Sequence, residues 1–284
     1  NPNNIMEHLL IVKPSIHSWS AQKVNKVAGN EYNASVGASG ANQVISKLLP
    51  KTFLKDWQQT AMRLRQETRR LSAFVYEDGW YAFTNRGFEV YRDKVWQAYS
   101  DRLEEIKIDM VQRYDVMRQH QLDKMGRTPN VQTMYPSVEW FKSRFSARLR
   151  VNTITPPKNL NELFEQDRKA MQAEYEQQLQ EAKQALFNQL EQQLKDMLER
   201  INDPEALKNM RSAAWKNFDQ FLDELPLKVL DDKDPILQLR DQIRSKIGNK
   251  LPDDFKDDLP AQRNVKQASK DALKAIEDIK ILQL

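Results

Sequence analysis

Cysteine is missing from all 284 residues of this chain. That excludes disulfides, thiolate metal sites and cysteine nucleophiles together, and it fits a reducing cytosol. Histidine is almost missing: His8, His17 and His120 are the three present. None sits in a His-x-x-x-His pair or beside closely spaced carboxylates on one helix face. Surface or packing roles are expected for them, since a metal site needs converging ligands and a nucleophile needs an oriented base. No run approaches the ~18 apolar residues of a membrane-spanning helix. The opening Asn1 to Val12 lacks a basic region ahead of its short apolar segment, so a secretion signal is not expected and a cytoplasmic location is. The first residue is Asn rather than Met, which leaves room for a segment ahead of it.

Glycine is scarce as well, at 7 residues, while charged residues make up 30% and apolar ones 40%. That balance favours a helix-rich chain with much polar surface, long enough for one large domain or two ordinary ones. The most informative stretch runs from Asn161 to about Ile201, without Pro or Gly and rich in Gln and Glu. Tyr175, Leu179, Ala182, Leu186, Leu190, Leu194, Met197 and Ile201 recur at spacings of 4, 3, 4, 4, 4, 3 and 4. This is one apolar stripe along a helix of roughly 60 Å. A second stripe, Phe88, Tyr91, Val95, Tyr99, Leu103, Ile106, Met110, Tyr114 and Met117, predicts a helix to about Met125, ended by Gly126. Matching periods suggest that the two helices pair antiparallel into a coiled-coil-like stalk.

Around these lie weaker signals. His8 to Val12 reads as a strand or arm stopping before Pro14, and Gly37-Ala38-Ser39-Gly40-Ala41 as a small-residue loop. An amphipathic helix is expected from Lys51 to about Tyr76, Trp80 to Phe83 as a short strand, and Asn85-Arg86-Gly87 as a turn. Ser137 reads as the N-cap of a helix over Val138 to Phe145, after which Ala147 to Ile154 turns toward strand composition. Pro156-Pro157 is the expected domain boundary. Asp203-Pro204, Asp234-Pro235 and Leu259-Pro260 each open a shorter helix, the first running to Pro226 and the second ending near Gly248. The fold class is therefore mainly α, with a small β element near the N-terminal half. Residues 1–156 form a mixed basic region and residues 157–284 an all-helical acidic one.

Charge follows that division. Residues 1–156 hold 23 Lys+Arg against 15 Asp+Glu, about +8, and residues 157–284 hold 21 against 25, about −4. Two basic stretches are candidates for nucleic acid: Arg63, Arg65, Arg69 and Arg70 on one helix, and Lys142, Arg144, Arg148 and Arg150 interleaved with Phe141 and Phe145. The acidic connector carrying Asp253, Asp254, Asp257 and Asp258 is a candidate docking segment for a basic partner, or else a solvated linker. Glu104-Glu105 and Asp231-Asp232 read as a helix surface and a loop. Gly37 to Gly40 lacks the Gly-Lys-Ser/Thr of a phosphate loop. No complete catalytic constellation is present, so an enzyme is not expected, nor any cofactor or metal.

Trp19 in Ser18-Trp19-Ser20, the run Trp80 to Phe88, Tyr114, Met134-Tyr135-Pro136-Ser137 and Phe145 occur in that order. Over roughly residues 9–156 this pattern resembles an uncharacterised bacteriophage and mobile-element family, a domain of unknown function, typically encoded beside a MoxR/CobS-like AAA+ ATPase. The chain departs from the family's pattern at Ser18-Trp19-Ser20-Ala21, where a Gly often follows. The resemblance implies an AAA+ partner and carries over no catalytic residues. On packing grounds Trp19, Trp80 and Tyr135 are expected as core anchors. The leading expectation is a non-enzymatic helical scaffold or adaptor, with homo-oligomers through the long helices open to it. The alternatives are a nucleic-acid accessory protein of phage recombination or replication, and a virion structural protein.

Overall fold

The computed structural model describes residues 9–38, 40, 42–126, 128, 130–153 and 165–282. It is mostly helical, with a small antiparallel sheet component. His8, Ser39, Ala41, the expected boundary at Pro156-Pro157 and the first residues of the expected long helix, 161–164, lie outside the described residues.

The chain divides into two compact units, and neither is continuous in sequence. One comprises Asn1–Ile11, Leu71–Phe88 and Asn152–Leu284; the other comprises Val12–Arg70 and Glu89–Val151. The chain passes between them four times, the last time between residues 151 and 152. Counted over these segments, the second unit holds 22 Lys+Arg against 12 Asp+Glu, a net of +10. The first holds 22 against 28, a net of −6. The structural division separates charge more completely than the linear one.

In the basic unit, strand β1 (Leu9–His17) enters from the acidic unit and runs through Pro14, which is buried rather than a stop. Its neighbour β6 (Ser146–Thr153) lies mostly in the same unit. A two-stranded antiparallel sheet, β2 (Gln22–Val24) with β3 (Ile45–Lys47), pairs Val24 with Ile45 and Gln22 with Lys47. Between them lies α1 (Lys26–Ser35), whose N-cap Asn25 accepts from the Ala28 amide. The loop after α1 is clamped by Asn33, which donates to the Asn42 carbonyl and accepts from its amide.

Helix α2 (Lys51–Leu71) stops five residues before the expected Tyr76. Helix α4 (Gln97–Met125) follows a π-helical turn at Tyr91–Trp96 and ends, as its pattern predicts, on Gly126 at φ 56°. Short helix α5 (Val138–Ser143) is capped by Ser137, whose hydroxyl accepts from the Trp140 amide. The stripe of α4 (Leu103, Ile106, Met110, Tyr114) is buried. Tyr114 stacks on Phe141 with centroids 4.4 Å apart, Phe141 meets Phe145 at 4.9 Å, and Phe145 meets Trp57 edge-on at 5.2 Å. This aromatic column is the centre of the unit.

In the acidic unit, β4 (Phe74–Glu77) and β5 (Trp80–Thr84) form an antiparallel hairpin turning on Asp78-Gly79, with Gly79 at φ 75°. The expected turn Asn85-Arg86-Gly87 instead opens α3 (Asn85–Val90). Thr84 caps it, its hydroxyl accepting from the Gly87 amide at 2.9 Å and donating to the Leu227 carbonyl at 2.7 Å.

The long helix α6 (Glu165–Asn202) is followed by α7 (Pro204–Lys208), α8 (Ser212–Lys228), α9 (Pro235–Ile247) and α10 (Leu259–Leu282). Asp203 and Asp234 cap α7 and α9 as expected. The helix expected from Pro204 to Pro226 is broken into α7 and α8, and Pro226 lies inside α8 rather than ending it. Proline cannot donate to the carbonyl four residues back. That carbonyl, Leu222 O, accepts instead from Arg240 Nε at 3.2 Å.

Leu186, Leu190, Leu194 and Met197 of α6 share a core with Trp215, Phe218 and Leu222 of α8, Ile243 of α9, and Val265, Ala272 and Ile276 of α10. The α6 stripe therefore finds its cover in its own unit, along α10 above all. The α4 stripe packs on α5 at Tyr114 against Phe141, and an antiparallel α4–α6 stalk is not shown. At the edge of the acidic core, buried Arg244 donates to Asp219 and Asp223 at 2.5 and 2.7 Å. Asp223 also binds Lys250 and holds its ammonium pKa above the usual lysine value.

Gly87 gives a direct check on this packing. A Cβ there would stand 2.5 Å from the Leu227 carbonyl oxygen and 3.0 Å from the Thr84 hydroxyl. Gly87→Ala is expected to destabilise the protein by about 1–3 kcal/mol through overpacking. At Gly29, inside α1, the nearest atom to an added Cβ is 3.6 Å away. Gly29→Ala is expected to be neutral or to stabilise by up to about 1 kcal/mol. Thermal melts of the two variants that shift in the same direction would contradict the assignment.

Candidate interaction surfaces

Helix α2 turns Phe53, Leu54, Trp57, Ala61, Leu64 and Thr68 inward. At about 100° per residue, its exposed positions then fall into two flanks. Lys51, Lys55, Gln58, Met62, Arg65 and Arg69 line one, at spacings of 4, 3, 4, 3 and 4. Asp56, Arg63, Glu67 and Arg70 lie toward the other, and Arg70 is held there by Glu67 at 2.6 Å. The structure thus brings Arg65 and Arg69 together and separates them from Arg63 and Arg70. It also adds Lys51 and Lys55, whose position on the same stripe was legible in the sequence through that 4,3 spacing. Arg65 is steadied by donating to the Ile16 carbonyl at 3.3 Å. At the amino-terminal end of this flank a cleft of about 260 Å³ is lined by Ser20, Gln22, Lys47, Leu49, Lys51, Leu54 and Gln58.

The second basic stretch is not a stacking platform. Phe141 and Phe145 are 0% and 1% exposed and belong to the aromatic column, so no base can reach them. Arg144 lies over the Trp140 ring at 4.3 Å, and Trp140 meets Trp19 edge-on at 5.4 Å. Lys142 is exposed on α5, while Arg148 and Arg150 alternate outward on β6. Tyr135 serves as a packing anchor, and its hydroxyl donates to the Leu48 carbonyl.

The acidic connector is an anchored segment. Phe255 is fully buried beside Trp215, with ring centroids 6.0 Å apart. Asp258 is spent on structure, accepting from the Ala261 amide at the start of α10. Asp253, Asp254 and Asp257 are exposed, Asp253 near Lys216 at 3.2 Å. Glu104 and Glu105 pair with Lys107 and Arg102 on the surface of α4, and Asp231 caps a loop turn. Among the described residues no group of three His, Cys, Asp or Glu is placed to hold a metal ion. No helix among them is long and apolar enough to cross a membrane.

Comparison of the chain with protein-family models, with curated proteins and with solved structures returned no match.

Two tyrosines in the basic unit make its packing sensitive to alkali. Tyr114 donates to the Pro136 carbonyl and Tyr135 to that of Leu48, so each uses its neutral phenol. Burial, partly offset by the Arg118 cation, pushes both up to about 12. Because the folded value exceeds the unfolded one near 10, their contribution is complete below about pH 10 and is lost as the pH rises toward 12. Phenolate absorbance should show these two ionising late, together with falling stability in that window. Tyr114→Phe should reduce the fall. If all 8 tyrosines of the folded protein titrate as free tyrosine does, this packing is refuted.

Proposed function

We propose that this chain is a non-enzymatic helical adaptor of the cytoplasm, with two separately packed units that present surfaces of opposite charge to different partners. The observation that carries the reading is the coincidence of charge with structure: +10 on one unit and −6 on the other. Complementary charge steers association and selects partners more than it adds affinity. Helix α6 supports a docking role as well. Its stripe closes into the core only from Leu186 onward, while Leu179 and Ala182, which continue it toward the amino terminus, are half-buried. A second helix laid along that half would extend the stripe as a coiled coil, which keeps a stalk within this reading. The resemblance of residues 9–156 to a mobile-element family makes an AAA+ ATPase the partner to test first.

Affinity capture of the full chain from its native host is expected to recover such an ATPase. Replacing Asp253, Asp254 and Asp257 by Asn should weaken capture several-fold and flatten its dependence on salt. Melting should hardly change, because these side chains are exposed. Capture that stays unchanged at low salt would remove the acidic segment from the docking surface. Recovery of no protein above background would sink the adaptor reading itself.

A further inference from the structure

The α2 flank goes beyond the adaptor reading and stands or falls separately from it. We propose that Lys51, Lys55, Arg65 and Arg69, with Lys47 at the cleft, form a track for the backbone phosphates of duplex nucleic acid. Three features of the flank support this occupant.

The first is spacing. From Lys51 to Arg69 the flank runs about 27 Å at 1.5 Å per residue. That is the axial length of about eight base-pair steps of a duplex at 3.4 Å each, so the pairs Lys51 with Lys55 and Arg65 with Arg69 at its ends can meet separate phosphates.

The second is the sorting of charge along α2 itself. The two carboxylates of α2, Asp56 and Glu67, lie on the far flank, where Glu67 already binds Arg70. The unit as a whole carries a net of +10. At the amino-terminal end, Lys47 and Lys51 share the cleft of about 260 Å³ with the hydroxyl of Ser20 and the amides of Gln22 and Gln58. Ammonium, hydroxyl and amide groups are all donors that phosphate oxygens accept from.

The third feature selects the form of nucleic acid. Single strands are held by stacking their bases on exposed aromatic rings as well as by charge. The aromatic residues of α2, Phe53 and Trp57, face the core at 6% and 2% exposure, and the flank offers Gln58 and Met62 between its cations. With charge and no stacking platform, the surface suits the continuous backbone of a duplex and reads no sequence.

The experiment is fluorescence anisotropy of a labelled short duplex titrated with the full chain. Four to five phosphate contacts predict a log–log salt slope of about −4, or roughly a 250-fold loss of affinity between about 50 and about 200 mM salt. Replacing Lys51, Lys55, Arg65 and Arg69 together by Gln should lower low-salt affinity by at least about tenfold and remove most of that slope. Should the fourfold variant fail to fold by circular dichroism, the pairs Lys51→Gln with Lys55→Gln and Arg65→Gln with Arg69→Gln should each remove about half the slope. Arg63→Gln with Arg70→Gln, on the other flank, should leave binding within about twofold. The proposal is overturned if the stripe variants bind like the parent or if the other-flank variant loses as much. It is equally overturned if an unlabelled single strand displaces the duplex at lower concentration than an unlabelled duplex does. Displacement by polyglutamate at matched charge would reassign the flank to an acidic protein partner.

Discussion

The end of α8 sets the organisation of the acidic unit. A helix leaves its last carbonyls without intrahelical donors, and a proline near the end orphans one more. Here Leu222 O is satisfied by Arg240 from α9, and Leu227 O by Thr84 from the end of the β4–β5 hairpin, 143 residues away in sequence. The second bond needs a close approach that only a residue without a side chain allows, and Gly87 supplies it. Thr84 does two jobs with one hydroxyl: it caps α3 and closes α8. Residues 71–88 therefore belong with the C-terminal helices, although they lie far from them along the chain.

That constraint explains what could be read in advance and what could not. The stripes of α4 and α6 were legible because burial on a helix repeats at its own period, and the caps at Ser137, Asp203 and Asp234 were legible because capping is local. A stripe says that a helix is covered, though not by what; α10 covering α6 depends on the whole acidic core. Pro226 reads as a stop for the same reason, since the donor that rescues its orphaned carbonyl comes from another helix. Pro14 likewise reads as a strand end and is instead accommodated within β1. Helix α1 is not legible in this way, because its ten residues, Lys26–Ser35, carry no apolar stripe and only an Asn cap.

The candidate surfaces divide in the same way. The residue types of the α2 cations were visible, while their sorting into flanks needed the inward face that Phe53, Trp57, Leu64 and Thr68 establish. Phe141 and Phe145 alternate with cations in sequence as stacking residues would, yet they are spent on the column with Tyr114 and Trp57. Among the connector aspartates, only the structure separates Asp258, which caps a helix, from its exposed neighbours.

Stability alone gives no reason for the charge division. Exposed ion pairs such as Arg102 with Glu105 contribute little, about 0–1 kcal/mol each. An excess of one sign weakens a compact unit by self-repulsion. Mixing the two signs evenly over both units would relieve that repulsion without touching either core, since the aromatic column and the α6–α10 core are built from uncharged side chains. Segregated charge is thus a property of the surfaces, separable from the fold that displays them. A surface with that property acts over a Debye length, about 8 Å at physiological salt, and so meets a partner before any contact is made.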